Sequence, residues 1–571
     1  MKPSPHRSRN GFDLSHRHVY SMNFGELLPS TCIETVPGDY IEMHASDLLR
    51  AIPLATSPFL RAKQHLDVWF VPYQDLWHNF NNFLTSRSQP VSSALHDFRY
   101  LPHVDFETLL KGIFGSDTLS SYDVVGQSYR KGASKLLSLL GYGRWSASPT
   151  FTNKEKAINL FRIFAYNYIW FNEYRATQYD DGSRAFDGTT IDPARLFNAD
   201  NIVCATQSSA EYMDAQDIKG LISCFQMRYR TWKKDLVTGL LPSTQFGNVS
   251  SIPLDADGIY KIYNQTTETW NESKIIRADQ NNTGDYGREV YANGGSGNVG
   301  DNNRFRLLKQ GSQNDFSILD LRKSEAIQIW RENALRAGNR VKDNMIAHYG
   351  VESDFRDHRP LYLGSVDAPL NIGDIDATAQ TGNSGNQVLG SIAGKGLSSL
   401  SEKVFKFNAK DFGVIMVMHS LLPEAEYTDQ GLDRFNTMLE PEDFFIPEHQ
   451  NIGLEVVDKD TIAFSTYGRT YEGAGYAPRY VQYKQKLDKC FGEFAKSNGI
   501  FGPWCSPRVD AENVFVGNAN FVPLSVLYVN PSIFDRNFSV ALNNSDQFLC
   551  DVFYSVDAVR PMSVTGMPFG D

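Results

Sequence analysis

Cysteine is scarce, and none of the six forms a Cys-x-x-Cys pair or another close spacing of the kind a zinc site uses. Cys32, Cys204, Cys224, Cys490, Cys505 and Cys550 are expected to be reduced and to pack as small hydrophobes, with no metal site. The chain also lacks any run of ~18 or more apolar residues, so no membrane-spanning helix is expected. Behind Met1-Lys2-Pro3-Ser4-Pro5-His6-Arg7 stand no apolar segment and no small-residue cleavage site, and export through a signal peptide is not expected. No internal repeat and no charged or Pro-rich linker divides the sequence. At ~150 residues per domain the length would allow about four domains, but one domain over 1–571, enlarged by insertions, fits better.

An overall excess of positive charge is missing too. With 55 basic against 66 acidic residues the formal net charge is −11, which argues against coating nucleic acid with the whole surface. The sign is uneven, however. Residues 1–20 hold Lys2, Arg7, Arg9 and Arg17 against Asp13 alone, a net of +3, and His6, His16 and His18 add to it below neutral pH. These four cations are the candidate nucleic-acid contacts of a basic N-terminal arm.

What is present is an ordinary globular composition, 41% hydrophobic and 21% charged, with a generous 13% aromatic share suited to cores and interfaces. Leu66–Val71, Phe412–Met418, Ile452–Val457, Asn513–Val516, Pro523–Val529 and Phe548–Val556 read as short strands. They are scattered between long irregular stretches. Loops inserted into an antiparallel barrel give that pattern, whereas a parallel α/β fold would alternate strand and helix regularly.

Thr152-Asn153-Lys154-Glu155 has the form of a capping box, followed by Ile158, Phe161, Ala165 and Ile169 at helical spacing, with further aromatics that predict burial on most sides. Ser324–Ala347 predicts a second helix with Ile327, Trp330, Ala334, Val341 and Met345 on its apolar stripe and Gly350 as its stop. The Gly- and Asn-rich stretches Gln280–Asn303 and Thr378–Leu397 predict loops.

Several motifs carry less than their letters suggest. Gly295-Ser296-Gly297-Asn298-Val299-Gly300 spells a dinucleotide fingerprint with neither a strand before it nor an apolar helix after it. Gly390–Lys395 falls one residue short of a phosphate loop, and Gly396 stands where Ser or Thr is needed. His348, Glu352, Asp354, Asp357 and His358 offer ligands, but Arg356 and Arg359 between them favour a salt-bridged loop. Glu424, Glu426 and Asp429, and Glu440, Glu442 and Asp443, lie beside prolines and read as solvated turns rather than the carboxylate pair of a glycosidase. Gln226–Lys234 interleaves aromatics and cations as single-strand binders do, beside the plainer reading of a surface helix or strand. No catalytic set and no cofactor are expected.

An ordered set of short segments runs through the chain. It comprises Phe12-Asp13-Leu14-Ser15; Pro37-Gly38-Asp39; Leu66–Pro72; Asp75–Phe80; Arg322–Tyr349 into Gly350-Val351; Arg359-Pro360-Leu361-Tyr362-Leu363-Gly364; Asp535-Arg536; Gln547–Asp551; and Arg560–Asp571. In order and spacing it resembles the major capsid protein of the gokushovirus-like Microviridae, small spikeless single-stranded DNA bacteriophages. The resemblance covers both ends and most of the middle and departs from the family over 180–316.

The resemblance implies a mainly β fold, an eight-stranded antiparallel viral jelly roll with long, partly helical inserted loops. It also implies a structural protein of the virion, assembled in the bacterial cytoplasm. Sixty copies, via pentamers, would form a T=1 icosahedral shell around a circular single-stranded DNA genome. Further partners would be a small basic internal or scaffold protein and a host cell-surface receptor met by the variable region 180–316, with no membrane insertion. The alternative is an outer-membrane glycan-binding protein of gut bacteria, which would need a lipidated cysteine behind a signal peptide. Cys32, the first cysteine, follows Pro29-Ser30-Thr31 with no such segment before it.

Overall fold

The structure, a computed structural model, describes residues 9–77, 80–84, 101, 103–115, 123, 125–146, 157–179, 222, 224–245, 260–264, 269–271, 276–278, 290–292, 305–309, 318–337, 346–350, 359–376, 392–462, 473–496, 499–506, 524–542 and 544–564. Strand β19 (Phe548–Arg560) sets the pattern of the molecule. Phe548, Cys550, Val552, Tyr554, Val556 and Ala558 point inward, and Leu549, Phe553 and Asp557 point outward, the two-residue period of a sheet with one buried face. Strand β4 (Tyr40–Ala51) repeats it with Ile41, Met43, Ala45, Asp47 and Leu49 inward.

These two strands are central to the first sheet. β19 pairs on one side with β4 and on the other with both β1 (Asn10–Asp13) and β2 (His16–Met22). Beyond β4 lie β15 (Ile392–Asn408) and then β14 (Asn371–Asp376). The second sheet runs in the order β13 (Leu361–Pro369), β5 (Ala62–Pro72), β16 (Gly413–Pro423), β3 (Leu28–Thr35). Every pairing in both sheets is antiparallel. The inward residues of both sheets belong to one hydrophobic core. β16 is buried on both faces because the helix Phe161–Ile169 packs on its far side, so it reads as an unbroken apolar run.

The chain crosses repeatedly between the sheets, and two connections are very long: β5 to β13, neighbours within the second sheet, and β16 to β19, which passes from the second sheet to the first. From β5 to β13 it passes through the helices Tyr73–Leu76, Phe80–Leu84, Phe106–Phe114, Tyr129–Leu139 and Phe161–Ile169 and the small pair β6 (His103–Asp105) and β7 (Ala157–Asn159). Residues 245–334 of this crossing form a compact unit of their own. It holds β8 (Tyr260–Asn264), β9 (Thr269–Asn271) and β12 (Phe305–Lys309) in the order β12-β8-β9, the pair β10 (Ile276–Ala278) and β11 (Val290–Ala292), and most of the helix Ile318–Ala337. From β16 to β19 the chain makes the hairpin β17 (Leu454–Asp458) and β18 (Gly473–Pro478) and a series of single 3₁₀ turns. This crossing builds a second core around Tyr427, Val457, Ile462, Ala474, Ala477 and Val481, joined by Val237 and Leu240 of the earlier connection.

Mainly β architecture with antiparallel sheets and helical segments agrees with the sequence reading, and Leu66–Val71, most of Phe412–Met418, most of Ile452–Val457 and Phe548–Val556 lie in strands. Other expectations are corrected. Ile158 lies in β7, not a helix; the helix begins at Phe161, is buried all round and ends in a π turn at Trp170–Tyr174. Leu524–Leu527 is a helical turn, not a strand. The helix expected from Ser324 begins at Ile318, and Ile327 and Trp330 of its apolar stripe are exposed in the single chain. Gly350 does follow a helical turn with φ 65°.

The last residues of the expected loop Thr378–Leu397 are the start of β15. Gly394 is needed there because a Cβ would lie 2.2 Å from the Thr56 carbonyl oxygen. Asn513–Val516, Thr152–Glu155, Cys204, the Gly295–Gly300 motif and residues 352–358 lie outside the described residues. Among the described residues, no helix is long and apolar enough to cross a membrane.

Candidate assembly and nucleic-acid surfaces

A polar seam locks the two sheets together. Ser30 on β3 and Tyr554 on β19 share a hydrogen bond of 2.6 Å, and the Tyr20 hydroxyl on β2 meets His419 Nδ1 on β16 at 2.6 Å. On the other ring nitrogen, His419 Nε2 faces Asp47 Oδ2 on β4 at 3.8 Å, with both side chains fully buried. Burial pushes the Asp47 carboxyl up to about 7 and the His419 imidazole down to about 3. Desolvation thus favours the neutral form of each.

The long crossing after β5 is bolted to this body by charged groups. Lys135 on the helix Tyr129–Leu139 lies 2.8 Å from Glu26 and 2.9 Å from Asp546, all nearly buried, and Lys131 adds a second contact to Asp546 at 2.9 Å. Against the cost of burial, Lys135, Ser21 and Lys131 hold the Asp546 carboxyl well below the usual carboxylate range.

The aromatic-basic segment Gln226–Lys234 belongs to the same interior, which corrects its reading as a nucleic-acid contact. Met227, Tyr229 and Trp232 are buried. Arg228 donates to Asn167 Oδ1 at 2.9 Å and lies over the Trp170 ring. Arg230 reaches Asp67 at 3.4 Å and donates to Ser420 at 3.0 Å, while the Tyr229 hydroxyl donates to Asp123 at 2.6 Å. Over 226–230 the alternating aromatics and cations mark a buried hydrogen-bonded strip, because Arg228 and Arg230 each find an acceptor inside the fold, while Lys233 and Lys234 are exposed.

Of the four arm cations, Lys2 and Arg7 lie outside the described residues. Arg9 is exposed and immediately precedes β1. Arg17 lies on the outer face of β2, where Nε and Nη2 each donate to Asp551 at 2.6 Å. His16 and His18 turn the other way. His16 bonds the Leu14 carbonyl at 2.8 Å and the Thr31 hydroxyl at 2.7 Å, and His18 bonds the Ser30 carbonyl at 2.7 Å. The second half of the basic arm is therefore strand.

The crossing between β16 and β19 carries the largest concentration of exposed apolar side chains among the described residues. Leu439, Phe444, Phe445, Ile452, Phe491 and Ile500 are all at least half exposed, Ile500 at 88% and Leu439 at 86%. Scattered exposed apolar residues are normal on any protein, but so many on one crossing make it the candidate contact surface. The crossing is held rigid beneath them by the second core and by short hydrogen-bonded turns. Asp443, considered above for catalysis, caps one of these turns by accepting from the Leu439 and Glu440 amides at 2.9 and 3.0 Å. Glu424 pairs with Arg61 at 3.1 Å, and Asp429 accepts from the Gly492 amide at 3.2 Å.

Glu426 has different company. Its carboxylate and the thiols of Cys490 and Cys505 place one ligand atom each within 4.8 Å of one another. Spacing along the chain gives no sign of this, because the three residues come from separate turns. The five described cysteines are free thiols, and four of them are buried.

The family model for "Capsid protein (F protein)" matches residues 1–104 and 146–569. The match runs through 180–316, where the sequence reading found the resemblance to lapse, and leaves out 105–145 instead. Two relatives align along nearly their whole length. Capsid protein VP1 of Chlamydia phage 1 is 22% identical over 603 aligned positions, covering 98% of this chain and 95% of the relative. Capsid protein VP1 of Bdellovibrio phage phiMH2K is 21% identical over 579, covering 99% and 96%.

Proposed function

The chain belongs to the Microviridae F capsid protein family, and from that premise we propose that it closes a T=1 icosahedral shell of sixty copies, built via pentamers, around a circular single-stranded DNA genome. It is a major capsid protein of single-stranded DNA phages: a structural component of the virion and not an enzyme, working as a homo-oligomeric shell. Family membership replaces the glycan-binding alternative.

The observation that carries the proposal is the strand order. Taking the strands as β2, β3, β4, β5, β13, β15, β16 and β19, one sheet has the first, eighth, third and sixth side by side, and the other has the second, seventh, fourth and fifth. We read this interleaving as that of an eight-stranded viral jelly roll, with β1 and β14 as extensions. A jelly roll suits a shell because two packed sheets make a stiff body while the crossings between strands are free to lengthen into contacts. The exposed apolar side chains of 435–501 are the contact surface we assign between copies, since interfaces of obligate assemblies are large and apolar.

For the interior we assign the basic arm. A genome encoding only this chain needs three nucleotides per residue, about 1,700 phosphates, whereas sixty arms at +3 supply about 180 positive charges, roughly a tenth. The arm is then a tether, and a small basic internal or scaffold protein, polyamines or divalent cations neutralise the rest. We assign the variable region 180–316, within which 245–316 belongs to the compact unit 245–334, to contact with a host cell-surface receptor.

Light scattering on the purified chain, beside its absorbance ratio for nucleic acid, tests the assembly. A mass near sixty or near five times 64.3 kDa is expected. A chain that stays at 64.3 kDa at high concentration would overturn the proposal.

A further inference from the structure

We infer that Glu426, Cys490 and Cys505 form a binding site for one thiophilic divalent cation of the zinc class, at the base of the turn that presents Phe491 and Ile500. The geometry is that of a half-built tetrahedron. With metal–sulfur bonds of ~2.3 Å and metal–oxygen bonds of ~2.1 Å, tetrahedral ligand atoms stand about 3.6 Å apart. Cys490 Sγ donates to Glu426 Oε2 at 3.7 Å, a thiol hydrogen bond whose length is close to that edge, and Cys505 Sγ is within 4.8 Å of both. Both cysteines are nearly buried, and soft thiolates beside one carboxylate select a cation of this class over calcium or magnesium.

The ligands are held from behind. Tyr427, next to Glu426, accepts from the Cys490 amide at 2.8 Å and donates its own amide to the Asp488 carbonyl at 2.9 Å, so two ligands are fixed by adjacent backbone hydrogen bonds. The Ser506 amide donates to Glu426 Oε2 at 3.4 Å, orienting the carboxylate from the residue after Cys505. Asn537 donates to the Pro503 carbonyl at 2.9 Å and bonds the Ser506 hydroxyl, anchoring the third segment.

Three acids share this nook, and a bound dication would hold them in their deprotonated forms. Each thiol gives up its proton to solvent, and two thiolates and one carboxylate around a dication leave a single negative charge. Arg61 and Arg536 are the nearby cations that favour it. A solvent molecule completes the fourth position. Clipping Cys490 to Cys505 closes a short loop whose tip carries Ile500 at 88% exposure, so the cation stiffens part of the surface assigned above to subunit contact.

Cobalt(II) titration of the full-length, reduced chain tests the site independently of shell assembly. Expected are one cobalt per chain, a sulfur-to-cobalt charge-transfer band with the intense visible bands of a tetrahedral ion, and bleaching by equimolar zinc. Glu426→Gln keeps the bands but weakens binding by at least the ~10-fold that loss of even an outer-shell partner costs. The double variant Cys490→Ser, Cys505→Ser abolishes the bands while circular dichroism stays native. A wild-type spectrum unchanged from aqueous cobalt, with both thiols open to a thiol reagent, overturns the inference. So does a signal that survives in the double variant, or recovery of the reduced preparation with the two cysteines joined to each other.

Discussion

His419 and Asp47 face each other across the seam between the two sheets, Nε2 to Oδ2 at 3.8 Å, with neither side chain exposed to solvent. Burial raises the acid to about 7 and lowers the base to about 3, so the imidazole is neutral at neutral pH and Asp47 passes from carboxylic acid to carboxylate as pH rises through about 7.

A pH dependence follows from Asp47. Its folded-state pKa is above its unfolded value, so the stability it contributes is complete below the unfolded pKa and is lost as pH rises through about 7. Asp47→Asn keeps the shape and removes the proton equilibrium. Relative to wild type it should gain on the order of 2–4 kcal/mol between pH 4 and pH 8. The contribution of His419 runs the opposite way, being lost as pH falls from its ordinary value toward about 3, but it is common to both proteins. Denaturant unfolding of the two chains at each pH measures the difference, and parallel profiles would mean an ion pair instead.

Lys135 is the shared cation of Glu26 and Asp546. Lys135→Met leaves two buried carboxylates without it and should cost about 3–5 kcal/mol, far more than loss of a surface pair. The loss should shrink in acid, because Asp546, whose folded pKa is lowered, contributes stability that is present above its unfolded pKa and disappears as pH falls through the folded one. A thermal melt at neutral pH that matches wild type would show that the helix Tyr129–Leu139 is held by its apolar face alone.

Ile500→Glu and Phe491→Glu alter side chains that are 88% and 66% exposed in the single chain. Neither should change the unfolding free energy by more than about 0.5 kcal/mol, while both should shift assembly from particles toward monomers. Light scattering read beside circular dichroism separates the two effects. Particles of full mass from both variants would remove this crossing from the interface.

Deleting residues 1–9 removes Lys2, Arg7 and Arg9 and stops just before β1. Packaged DNA, read as the absorbance ratio of purified particles, should fall more than particle yield. Arg17→Ala, by contrast, opens only an exposed pair with Asp551 and should leave both nearly unchanged. Equal loss of DNA and particles on deletion would end the tether reading.

Trimming Asn281–Asn303, inside the compact unit 245–334, should reduce adsorption to host cells without reducing particle mass. Particles that adsorb as well as wild type would take that segment out of host contact.

Local sequence determined the parts of this protein whose burial is regular. β19 and the middle of β5 and β16 were legible because apolar residues alternate in the first and run unbroken in the others, and the helix around Phe164 because aromatics surround it. β4 hid behind Asp47, an acid on an inward position that only a partner across the seam explains, and β15 hid behind its serines and behind Gly394 and Gly396, where a Cβ would clash. Ordered short segments also carried family membership, because sequence order survives where local pattern does not.

Only the tertiary structure decided which cations stay in solvent, since a cation's partner is set by contacts between residues far apart in the chain, from 61 positions for Arg228 and Asn167 to 534 for Arg17 and Asp551. It turned Arg228 and Arg230 inward onto Asn167 and Asp67 and laid Arg17 against Asp551. By the same long-range folding it brought Cys490 and Cys505 to Glu426, a juxtaposition that spacing along a chain cannot express.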